Sequence, residues 1–241
     1  MKVCAPELAG RIAAADWAEI GASLDRESHA RLPALLEPAL CRALRNCYDD
    51  PTVNFRSTVH MARHHYGRGE YRYFDYPLPG LVDKLRHTFY PHLAEIANRW
   101  RACLGEEARW PCRLEGLIEH CRANGQTRPT PLLLRYGTGD YNCLHRDMYG
   151  DVLFPLQVIV LLSEPGSEFD GGELVLTEQR ARRQSRPVVV RFNQGDAVNV
   201  PVSHRPEPGA HGFRRVHLRH GVSTVRCGHR MTLGLIFHDA A

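Results

Sequence analysis

The chain has 241 residues, of which 43% are hydrophobic and 24% charged, with a formal net charge of +4. That is the balance of a soluble globular protein long enough for a substantial core. So small a positive charge does not argue for a nucleic-acid partner by itself, and no apolar run approaches the ~20 residues of a membrane span.

The N-terminus, Met1-Lys-Val-Cys-Ala-Pro-Glu-Leu-Ala-Gly10, has no signal-peptide core and acquires acids early, so a cytoplasmic protein is expected. The eight cysteines, at 4, 41, 47, 103, 112, 121, 143 and 227, form no Cys-x-x-Cys pair. Neither a zinc knuckle nor a redox motif is present, and most are expected to be small buried hydrophobes or free thiols, Cys143 included.

Residues 5–25 show helical spacing through Leu8, Ile12, Ala15 and Ala18. A second helix is expected over 33–48, with Pro33 in its first turn and a stop at Asp49-Asp-Pro51. From Val53 to Pro79 the pattern alternates: Phe55–Met61 and Glu70–Pro77 read as the strands of a hairpin about the turn His64–Gly69. The hairpin is expected to be an ordinary exposed one with aromatic cross-strand pairs, a substrate mouth being the alternative. Leu81–Leu104 is the strongest helix, with Pro91 expected to kink or break it. Residues 112–123 give a short helix ended by Asn124-Gly125.

After Pro131 the chain becomes β. Strands are expected at Leu132–Tyr136, Phe154–Leu162, Phe169–Leu176, Val188–Arg191, Asp196–Val200, Gly221–Val225 and Met231–Phe237. The apolar run 154–162 predicts a strand buried on both faces. Short strands with Gly/Pro turns at roughly ten-residue intervals suggest a sandwich, barrel or jelly roll.

Within this half lies Tyr136-Gly-Thr-Gly-Asp-Tyr-Asn-Cys-Leu-His145-Arg-Asp147. His and Asp two apart fall on one side of an extended backbone. A neutral imidazole and a carboxylate there can reach one divalent ion, and a third ligand is on offer in the segment Arg219–Thr232. Two His and one carboxylate with open positions are the facial triad of non-heme Fe(II) oxygenases. With fourteen histidines in the chain, a lone His-x-Asp is weak, and its neighbours must decide.

Over residues 131–238 the chain resembles the Fe(II)/2-oxoglutarate-dependent oxygenases, in their prolyl 4-hydroxylase-like branch. The elements that carry the resemblance are Tyr136, His145-Arg-Asp147, Gly171-Gly-Glu-Leu174, His220 and Arg230, in that order. The region 53–125 is similar to a bacterial subgroup of the same oxygenases.

The resemblance implies an α+β chain with a double-stranded β-helix (jelly-roll) core in its C-terminal half. N-terminal helices and the hairpin support that core. Residues 1–125 would be the support and 126–241 the oxygenase core, together one compact unit. It implies metal ligands His145, Asp147 and His220, with Arg230 and Thr232 holding the far carboxylate of 2-oxoglutarate and Tyr136 donating a hydroxyl. The cofactor would be Fe(II) and the co-substrates 2-oxoglutarate and dioxygen, with ascorbate a candidate reductant.

Arg suits the carboxylate because its fork gives two parallel bonds and it stays charged. Arg230, Thr232, Gly234 and Ile236 share one strand face, as do His220, Val222 and Thr224, and the turn Arg226–His229 is expected to join the two as a hairpin. His217 then faces away, His238-Asp239 is expected to be structural or to support a ligand from behind, and His229 solvated. Asn142 and Gln157 are weaker pocket candidates, Gly171-Gly172 a backbone device and Glu173 structural. The basic cluster Arg180–Arg183 with Arg186 reads as a solvated loop.

The implied reaction is hydroxylation of a protein side chain or small molecule, with succinate and carbon dioxide released. A catalytically silent jelly roll binding a metal or organic acid is one alternative. A nucleic-acid demethylase on the same fold is another, disfavoured by the modest charge.

Overall fold

The computed structural model describes residues 5–241, so Cys4 lies outside the described residues. The chain opens with helices α1 (Ala5–Ala13) and α2 (Trp17–Glu27), where one helix over 5–25 is expected. The break falls at Asp16, whose carboxylate accepts the Glu19 N–H at 3.0 Å and so starts a new helix. Strand β1 (Ala30–Leu32) follows, unanticipated, and α3 (Pro38–Asn46) starts later than expected. Pro38, not Pro33, takes the first turn, while Leu35 and Leu36 stay in the core outside any helix or strand.

The hairpin is present as β2 (Phe55–His60) and β4 (Glu70–Phe74). Its tip holds a 3₁₀ turn over Met61–His64 and the two-residue strand β3 (Gly67–Arg68). Helix α4 (Gly80–Cys103) runs through Pro91 without a break. Proline inside a helix costs roughly 3 kcal/mol, and the buried Phe89, Tyr90 and Leu93 around it offset that. Helix α5 (Leu114–Ala123) ends where expected, with Gly125 at φ 75°.

The β half contains β5 (Leu132–Tyr136), β6 (Tyr141–His145), β7 (Leu156–Leu161), β8 (Phe169–Gly171), β9 (Leu174–Gln179) and β10 (Arg186–Val190). It continues with β11 (Ala197–Pro201), β12 (His204–Gly209), β13 (Gly212–Val222), β14 (Val225–Gly228) and β15 (Arg230–Ile236). Two large antiparallel sheets result, with a two-stranded ladder of β14 on β8 beside them. The larger has the order β1-β11-β7-β15-β5-β4-β2, the smaller β10-β9-β13-β6-β3 with β12 added on β13. This is the jelly roll, and the hairpin extends its larger sheet through β4 on β5.

Period-2 alternation gives the larger sheet two different faces. On β15, Met231, Leu233 and Leu235 join the core beneath α4, with Leu133 of β5 and Leu156, Val158 and Val160 of β7. The opposite face of the same strands carries Arg230, Thr232, Gly234, Leu132, Leu134, Tyr136, Gln157 and Ile159, which line a cavity between the sheets. Every other residue thus anchors the helical layer, and the intervening ones build the site. The expectation that β7 is buried on both faces holds.

Helix α4 is fastened to this sheet by a buried ion pair as well as by apolar contact. Arg86 donates to Asp239 at 2.8 Å, to the Phe237 carbonyl at 2.6 Å and to the Tyr76 hydroxyl at 2.8 Å. Among the described residues, no helix is long and apolar enough to cross a membrane.

Candidate metal centre

His145 and His220 stand directly opposite one another on neighbouring antiparallel strands, β6 and β13. Cross-strand partners on one sheet face bring their side chains together without further help, and the two imidazole rings lie 4.3 Å apart. Close approach of the backbones at this point depends on Gly221. A Cβ there would meet the Asn142 carbonyl oxygen at 2.6 Å, and the ladder register shifts just past it.

Asp147 follows β6 by two residues, beyond the strand end, and is buried. Its Oδ2 lies 3.2 Å from His220 Nε2 and its Oδ1 3.5 Å from His145 Nε2. One ligand atom from each of the three residues falls within 4.8 Å of the others, and no other such cluster occurs among the described residues.

Two of the three groups are held in the form a cation needs. Burial alone would raise the Asp147 carboxyl, but the charge of His220 and the hydrogen bonds from both histidines outweigh it and hold it well below the usual range. Burial pushes His220 down towards the neutral form, with the charge of His145 in support. His145 loses basicity to burial and regains more from Asp147, so it ends raised. Its Nδ1 lies 2.8 Å from the Cys143 carbonyl. A proton on Nδ1 is the arrangement that makes this a bond, and it leaves Nε2 as the nitrogen that can offer a lone pair to a cation once it gives up the proton it shares with Asp147.

The cavity beside the cluster holds about 500 Å³. Arg230 reaches into it from β15, 1% exposed, with Nη1 lacking any partner. Its guanidinium carbon lies 5.6 Å from the centre of the Tyr136 ring, and the two residues are register partners across β15 and β5. Burial drags the Arg230 pKa down to about 10, only partly countered by Tyr136 and Glu173. A buried cation with no carboxylate of its own calls for an anionic ligand. Thr232 is beside it on the same face, buried.

Gly171 and Gly172 have φ of 75° and 62°, the left-handed region expected of a backbone device. A Cβ on Gly172 would meet Arg230 Cδ at 2.8 Å, so this turn is packed on the arginine's stem. Tyr136 is fully buried and its hydroxyl accepts from Asn142 at 3.3 Å. Gln157 Nε2 lies 3.4 Å from His220 Nε2.

The structure corrects four expectations. His220 and Arg230 do not sit on a hairpin: β13 belongs to the smaller sheet and β15 to the larger, while β14 between them pairs with β8. They meet across the sandwich, because the chain crosses from one sheet to the other at residues 223–229. The hairpin does line the cavity, through His65, Tyr66, Tyr71 and Tyr73. Cys143 is exposed and not a packing residue. Arg180 is no free loop cation, since it donates to Glu207 at 2.7 Å and Glu178 at 2.8 Å.

His217 faces outward, as the alternation requires, and His238 and Asp239 are both buried and not among the clustered ligands, His238 lying beside the Tyr149 ring. Sequence reasoning passed over Tyr149, whose hydroxyl donates to Asp147 Oδ1 at 2.7 Å. Its spacing two residues beyond Asp147 was the available signal.

A sequence model of the family described as "Oxygenase-NA: Oxygenase, catalysing oxidative methylation of damaged DNA" matches residues 69–240. The chain belongs to this family. Two uncharacterised proteins of Mycobacterium tuberculosis, from strains CDC 1551 / Oshkosh and ATCC 25618 / H37Rv, are 46% identical to it over 168 residues, 70% of this chain and 72% of theirs. The Oxygenase-NA match begins inside the hairpin and takes in both histidines, Asp147 and Arg230.

Solved structures show the same fold. An oxidoreductase of the 2OG-Fe(II) oxygenase family from Burkholderia pseudomallei superposes with a TM-score of 0.54 at 18% identity, covering 94% of each chain. A Pseudomonas putida prolyl-4-hydroxylase gives 0.53 at 16% identity, covering 93% of this chain and 100% of that one.

Proposed function

We propose that this Oxygenase-NA protein is an Fe(II)- and 2-oxoglutarate-dependent dioxygenase. His145, Asp147 and His220 hold the metal. Arg230 holds the far carboxylate of 2-oxoglutarate, with Thr232 and Tyr136 beside it. The observation that carries this reading is the meeting, in one cavity, of a two-His, one-carboxylate cluster and a buried arginine without a carboxylate partner.

The residues fit both groups. Two imidazoles and one carboxylate converge with no fourth side-chain ligand among the described residues, which suits an octahedral ion that must keep positions open. A closed structural zinc site would use four ligands. The unpartnered Nη1 of Arg230 fits a carboxylate oxygen.

When bound, Fe(II) supplies dioxygen activation, coupling decarboxylation of 2-oxoglutarate to succinate with insertion of one oxygen atom into a substrate C–H bond. The chain's own part is positional. The hydrogen bond from Nδ1 to the Cys143 carbonyl fixes the His145 ring. Cross-strand pairing sets His220 against it. Leu134, Leu174 and Ile159 keep the wall by Arg230 apolar, which strengthens its attraction for an anion.

The first test is succinate production by anaerobically purified protein supplied with Fe(II), 2-oxoglutarate and oxygen. Slow turnover that vanishes without iron and in Asp147→Ala is expected. Absence of both turnover and anaerobic 2-oxoglutarate binding would transfer the chain to the silent jelly rolls. Arg230→Ala should weaken 2-oxoglutarate binding by at least tenfold, from loss of a charge-assisted fork worth about 1.5–3 kcal/mol, and leave iron binding intact.

A second reading concerns the primary substrate. The family description favours damaged nucleic acid over a protein side chain. The cavity supports it: Tyr66, Tyr71, Tyr73 and Tyr149 offer faces and edges for a flat base, Arg146 lines the wall, and Arg63 and Arg68 are exposed near the hairpin tip. Hydroxylation of an N-methyl group gives a hemiaminal, which collapses to formaldehyde and the unmodified amine. Formaldehyde release from an N-methylated oligonucleotide, reduced in Tyr66→Ala, is the expected outcome. Turnover of a peptide and not of the oligonucleotide would overturn this reading.

A further inference from the structure

The two oxygens of Asp147 are held differently. Oδ2 faces His220 Nε2 at 3.2 Å, while Oδ1, farther from its histidine at 3.5 Å from His145 Nε2, also accepts the Tyr149 hydroxyl at 2.7 Å. The Tyr149 oxygen in turn accepts from the Tyr73 hydroxyl at 3.0 Å.

An ionised carboxylate can only accept, and a phenol has one proton. The direction of donation is therefore set: Tyr73 to Tyr149 to Asp147. The relay is built in. Tyr73 lies on β4, 6% exposed, with its ring edge-on to Tyr149 at 6.2 Å and edge-on to Tyr71 at 5.3 Å. The Arg56 guanidinium covers its face at 4.2 Å and is itself tied to the Pro129 carbonyl at 2.8 Å.

We propose that Tyr149, backed by Tyr73, is a positioning residue that reserves Oδ1 of Asp147 and presents Oδ2 alone to the metal position shared with His145 and His220. This rests on the metal reading above. A carboxylate free to turn would offer both oxygens and take a coordination position that a two-toothed 2-oxo acid and dioxygen need. Partners of this kind, which orient ligands from behind, typically change metal affinity or activity by 10- to 100-fold when removed. The relay also explains why the hairpin is joined to the larger sheet. Its strand β4 places Tyr73 behind the metal carboxylate, and both tyrosines form part of the cavity wall.

The test is Co(II) titration of the metal-free protein, with thermal unfolding of the metal-free form as the control. Tyr149→Phe should weaken Co(II) binding at least tenfold and change the visible absorption of the bound ion, while the metal-free unfolding temperature moves little. Tyr73→Phe should give a smaller loss in the same direction, and it decides the matter if Tyr149→Phe fails to fold. Wild-type affinity and absorption in a folded Tyr149→Phe protein would overturn the positioning role and leave the metal reading standing. A wild-type protein that takes up no Co(II) would overturn both.

Discussion

At the scale of single residues, the site is governed by buried polar groups whose partners are either counted out atom by atom or missing. His238 is the sharpest structural case. It is fully buried, neither ring nitrogen has a partner, and burial brings its pKa down to about 4. The sign of the effect follows directly. Above the unfolded value near 6.5, folded and unfolded chains both carry it neutral. Below that, the unfolded chain takes a proton that the folded one refuses, so stability falls as pH drops from about 6.5 to about 4, by roughly 3 kcal/mol from this group. Unfolding temperatures across that range should decline more steeply for the wild type than for His238→Leu. Equal slopes would remove His238 from the account.

Residue chemistry was also the most legible level of the sequence. His145, Asp147, His220 and Arg230 stand out because rare side chains at fixed spacings leave a trace in one dimension. Tyr73 left none and Tyr149 only its spacing two beyond Asp147, because a tyrosine's partner is set by the tertiary fold, and the two are separated by 76 positions.

At the scale of elements, most helices and strands followed from periodicity; β13 runs over Gly212–Val222 where a strand at Gly221–Val225 is expected, and three missed strands share one cause. Strands β1, β6 and β12 carry polar or mixed faces, with Tyr141, Cys143 and Leu144 of β6 left exposed, so no alternation marks them. Their strand character comes from the neighbours they pair with. The joint between α4 and the end of the chain shows the same dependence on partners. Arg86 and Asp239 are 1% and 0% exposed at 2.8 Å. Removing one partner alone strands a buried charge, so Asp239→Asn or Arg86→Leu should cost about 3–5 kcal/mol, read as a fall in unfolding temperature. The double replacement Arg86→Met with Asp239→Leu should recover part of that loss. A double variant no better than the sum of the singles would show the joint to be shape rather than charge.

At the scale of the whole molecule, the two halves of the chain are interleaved. Strands β1, β2 and β4 come from the first 125 residues and sit in the larger sheet, whose outer face is covered by α4. We therefore expect residues 126–241, expressed alone, to yield no cooperative unfolding transition, although every proposed ligand lies within that piece. Mixing it with residues 1–125 should restore one. A well-folded isolated C-terminal piece would instead make the helices an accessory layer. Such interleaving was not legible in the sequence. Periodicity reports which face of a strand is buried, whereas sheet order depends on crossings such as the one at 223–229, where local pattern expected a hairpin.

The position of β15 carries one more consequence. It lies between β7 and β5, in the middle of the larger sheet, yet it is the last in sequence of the described strands. Until Arg230 and the residues after it are synthesised, the strands on its two sides, β1-β11-β7 and β5-β4-β2, lack the one that joins them. Each half-sheet has an open, largely apolar edge waiting for the same seven residues. Unpaired edges of that kind recruit other chains. A nascent chain stalled or truncated before residue 230 should therefore aggregate or engage chaperones, and arrival of β15 should act as a late closing step that joins the two half-sheets and brings Arg230 to the cavity.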